Sequence, residues 1–403
     1  MEVFKVKIKS LVSIVLSALF IIGCADASKE ADMNNENQES LFKDFWSYMG
    51  LMTDETGKDK QISVQMERIP FEENVLLKEN EGICIYDLWG DRILYSVFHW
   101  DDSSLYYYTD QICVWNMETE KLEYEIRMNQ EHILSASLGE NGIYVSGIWL
   151  QQNEEGFWNW ETLFWDGTEW KSVIKGKGKG ISLEAPKLIR CGEDILAVYE
   201  SWEHDSAYEF GTALLTEDNA KFLENEKSDK KEEADIHLLD ADLRFGSSQC
   251  IAYFIEREHK GYFRIVDKSG AVKEVPAHGK LYRYSLTNDY FIQSGVLENE
   301  QRAEKYISIY NLQKEYSNII YSSFEHYRQC TGSKNNMFSV NMNFDVFYTV
   351  FMGDKFVEYK LEASSLEYKQ AAVDFIYNGE SFYFLYFLEF NPDKVQIFKA
   401  KIM

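Results

Sequence analysis

Pairs of short apolar runs, each joined by a few turn-forming residues, recur along the chain at intervals of about 40–55 residues. Each run has strand length and is bounded by glycine, asparagine, aspartate or serine, so each pair predicts a β-hairpin. Seven such hairpins lie at 83–98, 133–149, 187–202, 243–256, 281–296, 327–342 and 371–387. Their turns are predicted near Gly90, Glu140, Gly192, Ser247, Asn288, Ser333 and Gly379.

A second hairpin follows each of the first six. These lie at 112–126, 162–174, 212–223, 263–275, 307–320 and 347–361. The clearest has Asp166-Gly167 as its turn, a pair typical of tight connections between antiparallel strands. After the seventh repeat only a lone strand is predicted, at 395–402, and an orphan strand at 61–69 precedes the first repeat.

Two hairpins per repeat give four antiparallel strands, which is the pattern of a β-propeller blade. We therefore predict an all-β fold, a β-propeller of seven four-stranded blades. The strand at 61–69 would complete the last blade and remove an open sheet edge, which would otherwise invite aggregation. An irregular double β-sandwich is the alternative that the same strands allow.

The repeat resembles that of bacterial β-propeller lipoproteins, related in pattern to the TolB-like and WD40-like groups. The resemblance covers residues 61–403 as a rhythm of strands, without a shared motif set. The Gly-His and Trp-Asp signature of WD40 blades is missing, since Trp165-Asp166 falls in a predicted turn. The resemblance implies a fold but no activity.

The first residues have the layout of a secretory signal peptide. Lys5, Lys7 and Lys9 precede an apolar run at 11–22 that is shorter than the ~20 residues needed to span a bilayer. The sequence that follows, Ile-Ile-Gly-Cys at 21–24, is similar to the bacterial lipobox. That resemblance implies cleavage before Cys24 and lipid, including palmitate-type chains, on this cysteine. An ordinary signal peptide with a chance cysteine is the alternative.

Three segments are predicted from this layout: a signal peptide at 1–23, a lipid-anchored flexible spacer at 24–43 and the propeller domain at 44–403. The spacer is polar, charged and poor in large apolar residues, so it cannot bury enough surface to fold. We expect the protein on a cell membrane through lipid on Cys24, facing outside the cytoplasm.

Composition supports strands and excludes one class of partner. Aromatic residues make up 15% of the chain and proline occurs only four times, which favours long strand ladders. The net charge of −26 repels nucleic acid and anionic lipid headgroups, so no nucleic-acid partner is expected.

No cofactor or metal motif is present in the sequence, and no catalytic residue is assigned. Nucleophile elbows, HExxH, P-loop, EF-hand and dinucleotide-binding patterns are missing. Apart from Cys24, the chain has five cysteines at wide spacings that match no metal-ligand pattern, and we expect buried free thiols. These are Cys84, Cys113, Cys191, Cys250 and Cys330.

Acidic residues at predicted strand ends give one catalytic hypothesis. Asp101, Asp102, Asp240 and Asp242 would meet at a propeller mouth, where paired carboxylates could hydrolyse glycosides, although aspartate is equally typical of turns. Two other segments are predicted as loops on charge and glycine content: the run at 217–235 and the KGKGKG run at 175–180.

Trp158 and Trp160 form the tentative binding loop. They lie in a tryptophan-rich connection, and a loop there would present flat apolar faces to a glycan or a partner protein. The alternative is that these aromatics continue the strand into the blade core.

The function predicted from the sequence is a membrane-anchored, non-enzymatic binding or scaffold propeller for a protein or small ligand. A carbohydrate-active enzyme, glycosidase or lyase, with carboxylates at the propeller mouth is one alternative. A regulatory partner of a membrane sensor or transporter is the other.

Overall fold

The computed structural model describes much of the chain from residue 64 onward, and the regular structure of these residues is β-strand. The described residues are 64–71, 75, 77, 81–99, 111–128, 132–152, 157–178, 186–203, 207–228, 236–238, 244–247, 249–257, 260–278, 280–299, 302–321, 329–332, 336–340, 346–352, 355–361, 371–377, 381–388 and 395–402. Within these ranges no helix is long and apolar enough to cross a membrane. The predicted signal peptide, the spacer and Cys24 lie outside them.

The described strands pair, always antiparallel, into seven sheets, I to VII in chain order. Sheet I contains β2 (Glu81–Trp89), β3 (Arg92–His99), β4 (Gln111–Asn116) and β5 (Lys121–Arg127). Sheet II contains β6 (His132–Leu138), β7 (Ile143–Gln152), β8 (Trp158–Trp165) and β9 (Trp170–Gly178). Sheet III contains β10 (Lys187–Cys191), β11 (Asp194–Glu203), β12 (Ala207–Thr216) and β13 (Asn219–Ser228).

The remaining sheets follow the same up-and-down order. Sheet IV contains β14 (Ile236–Leu238), β15 (Arg244–Gly246), β16 (Cys250–Arg257), β17 (Lys260–Asp267) and β18 (Val272–Pro276). Sheet V contains β19 (Lys280–Leu286), β20 (Tyr290–Asn299), β21 (Arg302–Asn311) and β22 (Tyr316–Tyr321). Sheet VI contains β23 (Gln329–Gly332), β24 (Asn336–Val340), β25 (Val346–Met352) and β26 (Lys355–Leu361). Sheet VII contains β27 (Ala371–Tyr377), β28 (Phe382–Leu388), β29 (Val395–Ile402) and β1 (Val64–Ile69).

Sheet IV departs from four strands because its first strand is interrupted. β14 and β15 pair with the same edge of β16, opposite residues 255–257 and 251–253 respectively. Together they occupy the place that a single strand occupies in the other sheets.

The first strands of successive sheets contact one another. β2 contacts β6, β6 contacts β10, β10 contacts β15, and the series continues through β19 and β23 to β27, which contacts β2. Sheets of antiparallel strands arranged with their first strands side by side form a β-propeller. The predicted all-β propeller is therefore the observed architecture.

The strand predicted at 61–69 lies where the pattern placed it. β1 pairs with β29 in a register that runs from Val64 opposite Ile402 to Ile69 opposite Ile397. The fourth strand of sheet VII therefore comes from the beginning of the domain, and its pairing covers an edge of β29 that would otherwise be open.

The core consists of apolar clusters between neighbouring sheets. Between sheets VI and VII, for example, the Phe338 ring lies 4.8 Å from the Phe382 ring and 4.9 Å from the Phe384 ring, both edge to face. Edge-to-face pairs add to the free energy gained from burying the rings alone. The high aromatic content is therefore explained by packing between sheets.

Asparagine or aspartate side chains shape four turns between third and fourth strands. The Oδ1 atom of Asn116 accepts hydrogen bonds from the backbone amides of the second and third residues after it, at 2.9 and 2.8 Å. Asp166, Asp267 and Asn311 make similar contacts in sheets II, IV and V. Such side chains satisfy backbone donors inside a tight turn, and the predicted turn at Asp166-Gly167 is confirmed.

Two loop predictions are wrong in part. Residues 219–228 of the charged run at 217–235 form β13, and residues 175–178 of the KGKGKG run belong to β9. Both are outer strands that pair on one side only. Since such a strand exposes much of its surface to water, charged side chains are compatible with it.

Candidate functional site

The structure corrects the loop prediction for Trp160. This residue lies inside β8, is 1% exposed and donates a hydrogen bond from its indole nitrogen to the Glu200 carbonyl oxygen, 3.0 Å away. It therefore packs in the core between sheets II and III, as the alternative interpretation proposed. Trp158 begins β8 and is half-buried, and its binding role stays a prediction.

Other predicted residues divide between the core and the segments outside the described ranges. Cys84, Cys113, Cys191 and Cys250 are free thiols. The last three are buried, so the prediction of buried free thiols is confirmed for these three. Burial raises the pKa of Cys191 to about 12 and that of Cys250 to about 11. The carboxylates proposed for a propeller mouth, Asp101, Asp102, Asp240 and Asp242, lie outside the described residues.

A cavity of about 400 Å³ opens between sheets II and III. Three hairpin turns meet there: the turn from β6 to β7, the turn from β10 to β11 and the turn from β12 to β13. We call this cavity the turn cleft, and its size lies in the range of small-molecule sites. Its lining residues are Gly139, Glu140, Asn141, Tyr144, Phe164, Glu193, Asp194, Ile195, Leu215, Thr216, Glu217 and Asp218.

Glycines allow two of these turns to be tight. The Gly139 amide donates to the Gly142 carbonyl oxygen at 2.7 Å, so that Glu140 and Asn141 project from the tip. A Cβ at Gly142 would lie 2.0 Å from the Trp165 carbonyl oxygen, which excludes any side chain there. Gly192 has φ +68°, a left-handed conformation that favours glycine, and it places Glu193 at the tip of the second turn.

The floor of the turn cleft is aromatic. Tyr144 and Phe164 are 6% and 1% exposed, and their ring centroids are 4.8 Å apart. Tyr144 lies against the first turn, since a Cβ at Gly139 would come within 2.8 Å of its ring. Within the described part of the chain, the Tyr144 hydroxyl makes no hydrogen bond, so this donor is left for a molecule in the cleft.

The rim of the turn cleft carries five carboxylates, on Glu140, Glu193, Asp194, Glu217 and Asp218. Their negative charge also affects the pKa of Tyr144 in the floor. Burial, and after it the charges of Glu217 and Asp218, raise the pKa of Tyr144 to about 12, so its hydroxyl is protonated at neutral pH.

Two lysines and one asparagine contact this rim. Lys268 pairs with Asp194 at 2.6 Å. Lys171 lies 3.6 Å from Asp218 and pairs more closely, at 3.0 Å, with Asp166, which is outside the cleft. Asn141 donates to the Glu217 carboxylate at 2.7 Å, which joins the turns of the two sheets. Five carboxylates against two lysines leave the rim negative, and the site can therefore attract and orient a cation.

A second polar cluster joins sheets I, II and III. Asp87 of β2 accepts hydrogen bonds from the Ser137 hydroxyl at 2.6 Å and from the Leu138 amide at 2.9 Å, both on β6. Arg190 of β10 pairs with the same carboxylate and also donates to the Leu138 carbonyl oxygen. Its guanidinium lies 4.7 Å from the centre of the Trp89 ring. We call this cluster the inner clamp.

A third cluster joins sheets III and IV through β13, β17 and β18. Arg264 of β17, whose side chain is 3% exposed, pairs with Glu224 and Glu226 of β13 at 3.1 Å each and with Glu274 of β18 at 2.8 Å. Glu224 also accepts hydrogen bonds from Thr212 and Tyr253. Because its ions are paired with one another, this cluster acts between strands and has no lining role in the turn cleft.

Comparisons with known proteins show no family for this chain. No protein-family model and no curated protein matches the sequence. Among solved structures, the chain is similar to the polysaccharide lyase Uly1, with TM-score 0.49, 10% identity and coverage of 85% of this chain and 99% of that one. It is also similar to the β-propeller domain of the Trilobed protease from Pyrococcus furiosus, with TM-score 0.48, 10% identity and coverage of 80% and 97%.

A third similar structure is the acylaminoacyl peptidase from Pyrococcus horikoshii, with TM-score 0.43, 11% identity and coverage of 75% of this chain. The chain spans about half of that peptidase, 49% of its length. At such low identities and TM-scores, none of these likenesses bears on what this protein binds or catalyses.

Sequence reasoning missed the turn cleft, although it predicted the turns that form it. Glu140 and Gly192 were recognised only as turn centres, and the acidic pair at 217–218 was assigned to a loop. The one feature of the sequence that could have indicated the cleft is that several of the predicted turns are acidic. Their convergence depends on how sheets II and III pack, which the strand pattern leaves open.

Proposed function

We propose that this protein is a binding propeller held on a membrane, outside the cytoplasm, by lipid on Cys24. The observation that carries the binding role is the turn cleft. It joins an aromatic floor with a free hydroxyl, on Tyr144, to a charged rim contributed by two sheets. Pockets that combine apolar walls with a few polar groups are typical of ligand sites.

The binding role is tested with a panel of ligand classes on the purified full-length chain. Spermidine, a neutral disaccharide, a zwitterionic amino acid and inorganic phosphate are each added, and the melting temperature is measured. A ligand at 100 times its Kd stabilises the folded state by about 2.7 kcal/mol. Thr216→Trp, which fills the cleft from its rim, should abolish the shift, while Thr119→Trp, in an exposed turn of sheet I, should retain it. If no class stabilises the wild type more than Thr216→Trp, the binding role is wrong.

The membrane anchor is supported by the sequence at 21–24 and by the acidity of the chain, which disfavours adsorption to anionic lipid through charge. Cells producing the wild type, Cys24→Ala or Cys84→Ala are labelled with radioactive palmitate. We expect label on the wild type and on Cys84→Ala and none on Cys24→Ala. Equal labelling of all three proteins would contradict the anchor.

We further propose that the seven sheets are seven blades of one closed ring. The support is the series of contacts between first strands, which returns from β27 to β2, and the pairing of β1 with β29. A chain that begins at residue 71 lacks β1 and leaves one edge of β29 open, so we expect it to self-associate. A chain that begins at residue 60 is the control. Closure by β1 would be contradicted if light scattering finds both chains monomeric and urea unfolding finds them equally stable.

A further inference from the structure

The charges of the turn cleft are spread along its rim. Glu140, Glu193 and Glu217 stand at or beside the tips of three different turns, on two sheets. Within the described part of the chain, neither Glu140 nor Glu193 has an ion-pair partner. Several separated charges match a ligand that carries more than one positive group.

A single metal ion fits this arrangement poorly. Among the described residues, no three histidine, cysteine, aspartate or glutamate side chains converge closely enough to hold a metal ion. Calcium takes six to eight oxygen ligands at about 2.3–2.6 Å, so it requires convergence. An elongated cation can instead place one positive group near each carboxylate.

The floor supplies the second, independent indication of a ligand. The Tyr144 side chain is more than nine-tenths buried, lines the cleft and has no hydrogen-bond partner among the described residues. Its ring, with Phe164, Ile195 and Leu215, makes the floor of the cleft apolar, and between 1% and 6% of each residue is exposed. Methylene groups pack favourably on such a surface, and aromatic faces attract ammonium groups.

We propose that the turn cleft binds an alkyl chain that carries two or more ammonium groups, with the chain on Tyr144 and Phe164 and the ammonium groups on the rim carboxylates. The proposal rests on the binding function above and names its ligand class. Free oligoamines and the lysine side chains of a partner segment share this chemistry.

The experiment is titration calorimetry on the full-length chain at low salt and at 150 mM salt. The probes are spermidine, tetralysine with blocked ends, triethylene glycol as a neutral chain, and Mg²⁺ as a compact dication. The test variants are Glu217→Gln/Asp218→Asn and Tyr144→Phe. The matched control is Glu118→Gln/Glu120→Gln, which removes the same two charges from an exposed turn of sheet I.

We expect spermidine or tetralysine to bind the wild type and the control equally and to bind Glu217→Gln/Asp218→Asn about tenfold more weakly. Tyr144→Phe keeps the ring, so a several-fold loss of affinity in this variant measures the contribution of the hydroxyl. Binding of spermidine alone identifies a free oligoamine, and binding of tetralysine alone identifies lysine side chains of a partner. Both outcomes support the proposal.

Three outcomes would overturn it. The first is an equal loss of amine affinity in Glu217→Gln/Asp218→Asn and in Glu118→Gln/Glu120→Gln, because that would reflect net charge alone. The second is a Mg²⁺ affinity equal to that of spermidine, which would indicate a diffuse counterion effect. The third is no binding of either amine. If the disaccharide, amino acid or phosphate still stabilises the wild type but not Thr216→Trp, the binding function survives and only this ligand class fails.

Discussion

Replacing Asp87 tests whether the inner clamp holds the first three sheets together. The Asp87 and Arg190 side chains are 8% and 10% exposed. Asp87→Leu leaves the Arg190 charge without its carboxylate and removes the acceptor of the Ser137 hydroxyl and the Leu138 amide. Breaking a buried ion pair by removing one partner typically costs about 3–5 kcal/mol. The lost acceptor adds to that cost, so we expect a loss of about 4–5 kcal/mol in the free energy of unfolding.

The double variant Asp87→Leu/Arg190→Met separates charge from packing. It removes both ions, so only the Ser137 hydroxyl and the Leu138 amide lose their acceptor, at a cost of about 1–3 kcal/mol. The double variant should therefore be more stable than Asp87→Leu alone. Asp218→Leu is the control, because that side chain is 80% exposed and its replacement should change stability by less than about 0.5 kcal/mol.

The assay is urea unfolding followed by tryptophan fluorescence, for which Trp89 beside Arg190 is a local reporter. Midpoints are compared at equal slope, so that differences report stability. The reasoning is refuted if Asp87→Leu costs less than about 1 kcal/mol, or if the double variant is no more stable than Asp87→Leu alone.

Three further predictions concern the core, the thiols and one turn. Gly176→Ala should cost about 1–3 kcal/mol in urea unfolding, because its Cβ would lie 2.2 Å from the Trp160 ring, while Lys175→Ala on the exposed face should cost almost nothing. Iodoacetamide at pH 8 should leave Cys191 and Cys250 unmodified in the native protein and should modify both in urea; peptide mass spectrometry that finds native modification would contradict their burial. Burial acts to raise the pKa of Asp267, but the hydrogen bonds that it accepts outweigh burial and lower its pKa. The stability it contributes is present above the unfolded pKa of about 4 and is lost as pH falls through the lower folded pKa. Asp267→Asn should therefore cost on the order of 1 kcal/mol at pH 7, and this cost should shrink as the pH falls below about 4; a cost that stays constant as the pH falls would contradict this assignment.

The strands could be predicted because their signal is local. Alternating apolar positions and turn residues determine where β8 ends and where β9 begins, and Asp166 with Gly167 specifies the turn between them. The hairpin predicted at 212–223 contains the first half of the outer strand β13, but its second half, at 224–228, was assigned to a loop because three of these five residues are charged. Its partner β12 supplies the backbone hydrogen bonds that make it a strand, and that partner does not appear in its own sequence pattern.

The polar sites could not be predicted because their members are far apart in sequence. Asp87 and Arg190 are 103 residues apart, and Asn141 and Glu217 are 76 residues apart. Either contact depends on which sheet is the neighbour of which, and on how far each sheet is rotated against the next. A strand pattern gives the order of sheets but not that rotation, so it cannot say which turns will share a cleft.

The inner clamp and the turn cleft are two parts of one arrangement. Leu138, which donates to Asp87, directly precedes the turn that carries Glu140, and Arg190 lies three residues before Glu193. The clamp therefore fixes the distance between two of the three turns that form the cleft. It follows that Asp87→Leu should weaken binding at the cleft without touching the ligand, whereas Asn311→Ala, which acts in a turn of sheet V, should lower stability and leave affinity unchanged. Affinity measured well below the melting temperature of each variant distinguishes these effects, and equal affinities for the wild type and Asp87→Leu would show that the cleft is positioned by other contacts.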